Sequence, residues 1–325
     1  MKLASWMAPL GVPEWGFLDG GRAWSVPRLY RWAVGTGRLP ADDRSAGSLR
    51  NYLQHGGSAR ELAALAALAP HAPDADLDGQ AFREPAEGLA WLPPLLHPPA
   101  FRDFYTFEQH VKAARARRGL EMVPEWYEAP SFYFSNPHAL VGHDAPVARP
   151  RATRELDFEL EVAAVLGSGG RDFSADEGEA AILGFTILND WSARDVQRRE
   201  MKVGLGPAKG KDFATSLGPW ITTLDELADR RVGPGRYDLA MTARINGREV
   251  SRANLKDMHF DFGRLVARAS EGVYVFAGEL LGSGSAGTGC ILELGPENVP
   301  WLEPGDTVEL EVERLGLLRN TVVAP

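Results

Sequence analysis

The 325-residue sequence has one cysteine, Cys290, so it can form no internal disulfide and fits a reducing cytoplasm, where a buried, inert thiol is the default. It lacks any apolar run near the roughly 18 residues that a membrane span needs. Pro9, Gly11, Pro13 and Glu14 interrupt the N-terminal text "MKLASWMAPLGVPEWG" too early for a signal peptide. A cytoplasmic protein without a membrane partner is expected. Basic charge is also short: 35 Lys and Arg stand against 44 Asp and Glu, a formal charge of −9. With a pI near 5.4, nucleic acid is not expected as a main partner, because phosphate binding needs a basic surface. The local exception is "KAARARRG" at 112–119, either a solvated helix face or an attractor for an anionic substrate.

What is present divides the chain near residue 90. Residues 1–90 mix short apolar stretches with the helix-like "SARELAALAALA" and proline-dense text, and read as a smaller N-terminal domain; residues 91–325 read as a second, larger domain. Asp103 and Gly119 suggest the start and stop of a helix through "DFYTFEQHVKAARARRG", with Phe104, Phe107, Val111 and Ala114 on one stripe. "AILGFTILND" reads as a strand entering the helix "WSARDVQRREM", where Ser192 and Asp195 have capping-box spacing and Asp190 lies at the junction. Asn246-Gly247 marks a two-residue hairpin. "MHFDFGRLVARASEG" reads as a helix, and "LEPGDTVELEVERLG" as a turn and a strand. Many strands and few helices predict a β-rich α+β fold rather than a regular βαβ series.

The glycine-rich "GLGPAKGKD" at 204–212 is no phosphate loop: Leu205 stands five residues before Gly210, and Asp212 fills the Ser/Thr slot. Lys209 likewise occupies the third glycine of a dinucleotide fingerprint. The acids of "LDFELEV" are more informative. Leu156, Phe158, Leu160 and Val162 alternate with Asp157, Glu159 and Glu161, the period of a strand with one apolar face. The acidic face is either solvated or turned to a hard cation. "TVELEVER" places Glu309, Glu311 and Glu313 in the same way, so the pattern alone decides nothing. A Mg²⁺ or Ca²⁺ site needs several oxygen ligands converging from separate elements, and Asp103 and Asp190 are candidates to join Glu159 and Glu161.

"DFYTFEQH", "LDFELE", "NDWSARDVQ", "GPAKGKDF" and "LLGSGSAGTG" followed by "ILEL" resemble, in order and rough spacing, the signatures of the fumarylacetoacetate hydrolase family over about residues 100–295. The resemblance implies a mixed β-roll catalytic domain behind a smaller β-containing N-terminal domain, usually as a homodimer. It implies Asp103, Glu159, Glu161 and Asp190 as ligands of a divalent cation, with Mg²⁺ first and Ca²⁺ or Mn²⁺ as alternatives. It makes His110 the general base, paired with Glu293. Arg194, Gln197 and Lys211 match positions that bind substrate and stabilise negative charge, and Tyr105, Tyr133 and Ser285 match substrate contacts. From the residues alone, His110 reads as a satisfied structural histidine rather than a base. Arg194 and Gln197 are also readable as a solvated helix face, and the two tyrosines as core.

The sequence departs from the family pattern twice. Gly284-Ser285 replaces the usual "GT", and Gly119 stands where an arginine is expected, with Arg117 and Arg118 just before it. The function implied is metal-dependent hydrolysis of a C–C bond in a fumarylacetoacetate-like β-diketo acid of aromatic catabolism. The alternatives are a decarboxylase, isomerase or acylpyruvate hydrolase of the same family acting through a metal-held enolate, and, from another class, a non-catalytic calcium-binding module.

Overall fold

The computed structural model describes residues 1–9, 11–40, 46–76, 79–117 and 119–325. Arg118 therefore lies outside the described residues. The expected β-rich α+β architecture is what folds, arranged around one twelve-stranded sheet. At its N-terminal end an antiparallel meander joins Lys2–Met7, Pro13–Asp19, Arg22–Ser25 and Arg83–Pro85. The sheet continues through Thr215–Thr223, Ile182–Asp190, Leu160–Leu166, Leu280–Gly282, Phe101–Phe104 and Phe132–Phe134. Lys2 pairs with Thr222 and Leu3 with Ile221, so residues from both sides of position 90 share one hydrogen-bonded sheet.

The apolar runs of the central strands follow from burial on both faces. Along Leu160–Leu166, Val162, Ala164 and Leu166 face one core, while Ala163 and Val165 face the other. The first core is closed by a five-stranded sheet contributing Met241, Ala243, Val308, Leu310 and Leu318. The second is closed by the N-terminal helices Val26–Gly35, Leu49–Gln54 and Ala59–Leu68, through Leu29, Leu53, Leu62 and Leu65. The Asn246-Gly247 hairpin forms as expected, with both residues at positive φ, 52° and 77°.

Three local expectations are corrected. "LDFELEV" is two strands, Leu156–Asp157 paired with Ser192–Ala193, then Leu160–Leu166 in the main sheet. The break is held by Asn189, whose Oδ1 accepts from the Glu159 N–H at 2.9 Å. Asp103 is not a helix cap. It sits on the strand Phe101–Phe104, paired with Gly282 and Tyr133, and the helix begins only at Glu108. Ser192 does not cap the Arg194–Met201 helix; its hydroxyl donates to the Asp190 carbonyl at 3.0 Å, and Ala193 occupies the cap position. Asp195 instead accepts from Thr153 Oγ1 and from the Arg154 and Val196 N–H groups.

Candidate metal centre and catalytic cavity

The main sheet's strand ends converge on a cavity of about 680 Å³. Asp103 comes from one strand, Glu161 from its second neighbour, Glu159 from the break before that strand, and Asp190 from the end of the next. All four are buried, so the solvated reading of the acids fails. Carboxylate oxygens of Asp103, Glu159 and Glu161 come within 4.8 Å of one another. Asp190 joins this trio through Lys211, whose Nζ is 2.7 Å from both Glu159 Oε2 and Asp190 Oδ2. The look-alike strand does otherwise: Glu311 is exposed and pairs with Arg244 at 2.8 Å.

Within the cage, four buried carboxylate oxygens have no hydrogen-bond partner: Asp103 Oδ1, both oxygens of Glu161, and Asp190 Oδ1. A buried charge without a partner is costly, and two carboxylates about 4 Å apart repel by roughly 4 kcal/mol at an effective dielectric near 20. Burial pushes the Asp103 and Glu161 carboxyls well above the usual range, and the neighbouring carboxylates push them further. Asp190 is raised too by burial, against the pull of Lys211. Burial also acts to raise Glu159, but Lys211 and Arg194 outweigh it and hold that carboxyl below its ordinary value. An all-oxygen donor set with orphaned buried oxygens fits a hard divalent cation.

Around the cage the remaining expected residues assemble. Tyr133 donates its hydroxyl to Asp190 Oδ2 at 2.6 Å, and burial and then the Asp190 charge keep the phenol well above its usual pKa. Arg194 donates from Nε to Asp157 Oδ2 at 2.7 Å, from Nη2 to Glu159 Oε1 at 2.7 Å, and from Nη1 to Gln197 Oε1 at 3.1 Å. Lys211 stays protonated: burial opposes its charge, but Asp190 and Glu159 hold its pKa above the ordinary value. Tyr105, Ser285 and Gln197 line the cavity with Lys211, Arg194 and His110.

His110 Nδ1 lies 2.6 Å from Glu293 Oε1, and the Glu293 Oε2 accepts from the Thr288 N–H at 2.9 Å. Asp103 and His110 do not share a helix: the first is on the strand Phe101–Phe104 and the second on the helix Glu108–Ala116. The chain bends through Tyr105–Phe107. Trp126 Nε1 donates to the Tyr105 carbonyl at 2.8 Å, and the His259 N–H to the Thr106 carbonyl at 2.8 Å. Thr106 Oγ1 donates to the Ser283 carbonyl at 2.6 Å. Gly284 runs alongside at φ 77°, where a Cβ would meet the Phe104 carbonyl oxygen at 2.4 Å. The buried Cys290 Sγ is 4.0 Å from His110 Nδ1, and burial pushes its thiol pKa well up.

The basic segment divides. Arg115 lines the cavity, whereas Arg117 turns away and donates from Nε and Nη2 to the Glu293 carbonyl at 3.3 and 3.1 Å. Sequence reasoning missed Asp157 as a site residue. It is the first of the three alternating acids, but the donors that give it a role, Arg194, Ile291 and Leu292, are distant in sequence.

The sequence profile described as fumarylacetoacetate (FAA) hydrolase C-terminal matches residues 100–323, which contain every residue placed above. The chain belongs to the fumarylacetoacetate hydrolase family. It is 28% identical to the fumarylacetoacetase of Bos taurus over 282 residues, covering 72% of this chain and 67% of that enzyme. It is 33% identical to the human mitochondrial oxaloacetate tautomerase FAHD2A over 187 residues, 57% of this chain and 56% of that one. The crystal structure of maleylpyruvate hydrolase from Sphingobium sp. SYK-6, in complex with manganese(II) and pyruvate, matches with a TM-score of 0.68 at 21% identity, covering 100% of this chain and 99% of that one. Family members thus include enzymes of different reaction types, and among the described residues no helix is long and apolar enough to cross a membrane.

Proposed function

We propose that the protein is a divalent-metal-dependent hydrolase that cleaves a C–C bond of a fumarylacetoacetate-like β-diketo acid in aromatic catabolism. The observation that carries this reading is the His110–Glu293 pair, 2.6 Å apart, on the same cavity as the carboxylate cage and Lys211. A calcium-binding module has no use for an oriented histidine there. Asp103, Glu159, Glu161 and Asp190 would hold the cation, with Mg²⁺ first and Mn²⁺ or Ca²⁺ as alternatives. When bound, the cation would supply Lewis acidity to the two carbonyl oxygens of the substrate.

The chain's own groups account for the remaining steps. With Nδ1–H donated to Glu293, the neutral imidazole keeps Nε2 as its acceptor. His110 removes a proton from water as the water oxygen bonds to one carbonyl carbon. Lys211 has three N–H donors and spends two on Glu159 and Asp190; Arg194 has five and spends three. Both residues line the cavity, and their remaining donors would stabilise the charge that develops on oxygen, a contribution of about 10²–10³ in rate per donor. The C–C bond then breaks with its electron pair on the departing carbon, which takes the proton back from the imidazolium. Phe104, Phe132, Leu120 and Leu292 form an apolar wall for the substrate's body.

The likeness to an oxaloacetate tautomerase supports a second reading, proton transfer at a β-keto acid without attack by water. Product analysis separates the two: purified protein with Mg²⁺ or Mn²⁺ is incubated with acylpyruvates, fumarylacetoacetate and oxaloacetate. Two acids from one β-diketo acid support hydrolysis; enol–keto exchange alone supports the tautomerase. We also propose a cytoplasmic homodimer, on the family resemblance, which sedimentation of the purified chain tests.

A further inference from the structure

Asp157 is the acid of the "LDFELE" segment that stands outside the cage, and it is fully buried. Its Oδ1 accepts from the Phe158 N–H at 2.9 Å and the Ile291 N–H at 2.7 Å. Its Oδ2 accepts from the Leu292 N–H at 3.0 Å and Arg194 Nε at 2.7 Å. A carboxylate offers about four acceptor directions, so this one is saturated. Two of those donors open the short helix Ile291–Leu294, which carries Glu293. Cys290, at its cap position, makes no side-chain cap bond, so Asp157 supplies from across the fold what a capping side chain would supply locally. The fourth donor belongs to Arg194 on the cavity wall.

We infer that Asp157 is a positioning residue that ties the Arg194 guanidinium to the helical turn bearing Glu293, so that Arg194 and the His110–Glu293 pair keep one register around the cavity. A buried ion pair gains little net stability against its desolvation, so what this one contributes is geometry. A misplacement of about 1 Å can cost on the order of 10² in rate. The kinetic consequence rests on the proposed function; the structural coupling does not.

The test begins with a readout that needs no substrate. In Mg²⁺-containing buffer, the proton between His110 Nδ1 and Glu293 should give a downfield ¹H resonance, assigned by its loss in His110→Ala. Asp157→Asn keeps the shape but, whichever way the amide turns, sets an NH₂ against two N–H donors. It should shift or broaden that resonance. Arg194→Lys keeps the charge but loses the guanidinium fork held by Asp157. It should also move the resonance, and should move it no further when Asp157→Asn is already present. If Asp157→Asn does not fold, Arg194→Lys decides. An unmoved resonance in the folded variants, or none in the wild type, overturns the inference. With an active substrate, kcat of Asp157→Asn should fall by about tenfold or more with KM and Mg²⁺ affinity little changed; a loss confined to KM overturns the positioning role. No turnover on any diketo acid would sink the hydrolase reading and leave the resonance test standing.

Discussion

A Cβ on Gly282 would stand 2.2 Å from Asp103 Oδ1 and 3.4 Å from Glu161 Oε2. Gly282 pairs in register with Asp103 on one side and Ala163 on the other, so the space of its missing side chain is where the cage carboxylates meet. Its φ lies outside the left-handed region, so alanine fits the backbone and acts by bulk alone. Gly282→Ala should lower Mg²⁺ or Mn²⁺ affinity by about tenfold or more, in line with changes to groups that orient metal ligands. Calorimetric titration measures it, and an unchanged affinity would place the cation elsewhere.

The cage should make metal binding and stability depend on pH. Without a cation, Asp103 and Glu161 are held well above the ordinary range by burial and then by neighbouring charge. A raised carboxyl pKa contributes stability below the unfolded value of about 4 that is lost as pH rises through the folded value. Glu159, held low by Lys211 and Arg194 against burial, contributes in the opposite sense, above its unfolded value. With Asp190 also raised, the balance falls on the first effect. Chelator-treated protein should therefore lose thermal stability as pH rises above the unfolded carboxyl value of about 4. Mg²⁺ should restore it more at the higher pH, with release of protons. Titrations in buffers of different ionisation enthalpy count those protons; a metal response with no proton release and no pH dependence would contradict the burial of these acids.

His110 touches Glu293 and lines the cavity, yet the cage assembles from carboxylates alone. His110→Ala should bind Mg²⁺ as the wild type does while turnover falls by about 10²–10⁴, the usual contribution of a general base. A parallel loss of metal affinity would make the imidazole a ligand.

The sequence told the cage acids apart from their look-alikes only through the motifs around them. "VELEVE" alternates as cleanly as "LDFELE", but Glu311 lies on an exposed face and Glu161 is fully buried. Alternation reports which residues share a face, not what covers it. The Asp190 junction was legible because an apolar strand runs directly into a charged helix. The Tyr105–Phe107 bend was not, because its determinants are Trp126, His259 and Ser283, distant in sequence. Asp157 was hidden for the same reason, since three of its four donors belong to Arg194, Ile291 and Leu292.

The two acidic strands provide a paired experiment. Glu159 bridges Lys211 and Arg194 within the cage, so Glu159→Gln removes a ligand charge and unbalances two buried cations. Glu311 pairs with Arg244 at the surface, an interaction worth about 0–1 kcal/mol. A cation that binds the native state alone stabilises it by about 2.7 kcal/mol at a hundredfold excess over Kd. In the wild type, Mg²⁺ added after chelation should raise Tm by several degrees. Glu159→Gln should remove most of that gain, and Glu311→Gln should keep it. The comparison rests on the metal response within each variant, so a change in metal-free stability does not confuse it. If Glu311→Gln loses the response and Glu159→Gln retains it, the cation binds at the wrong strand for this cage, and the catalytic proposal falls with it.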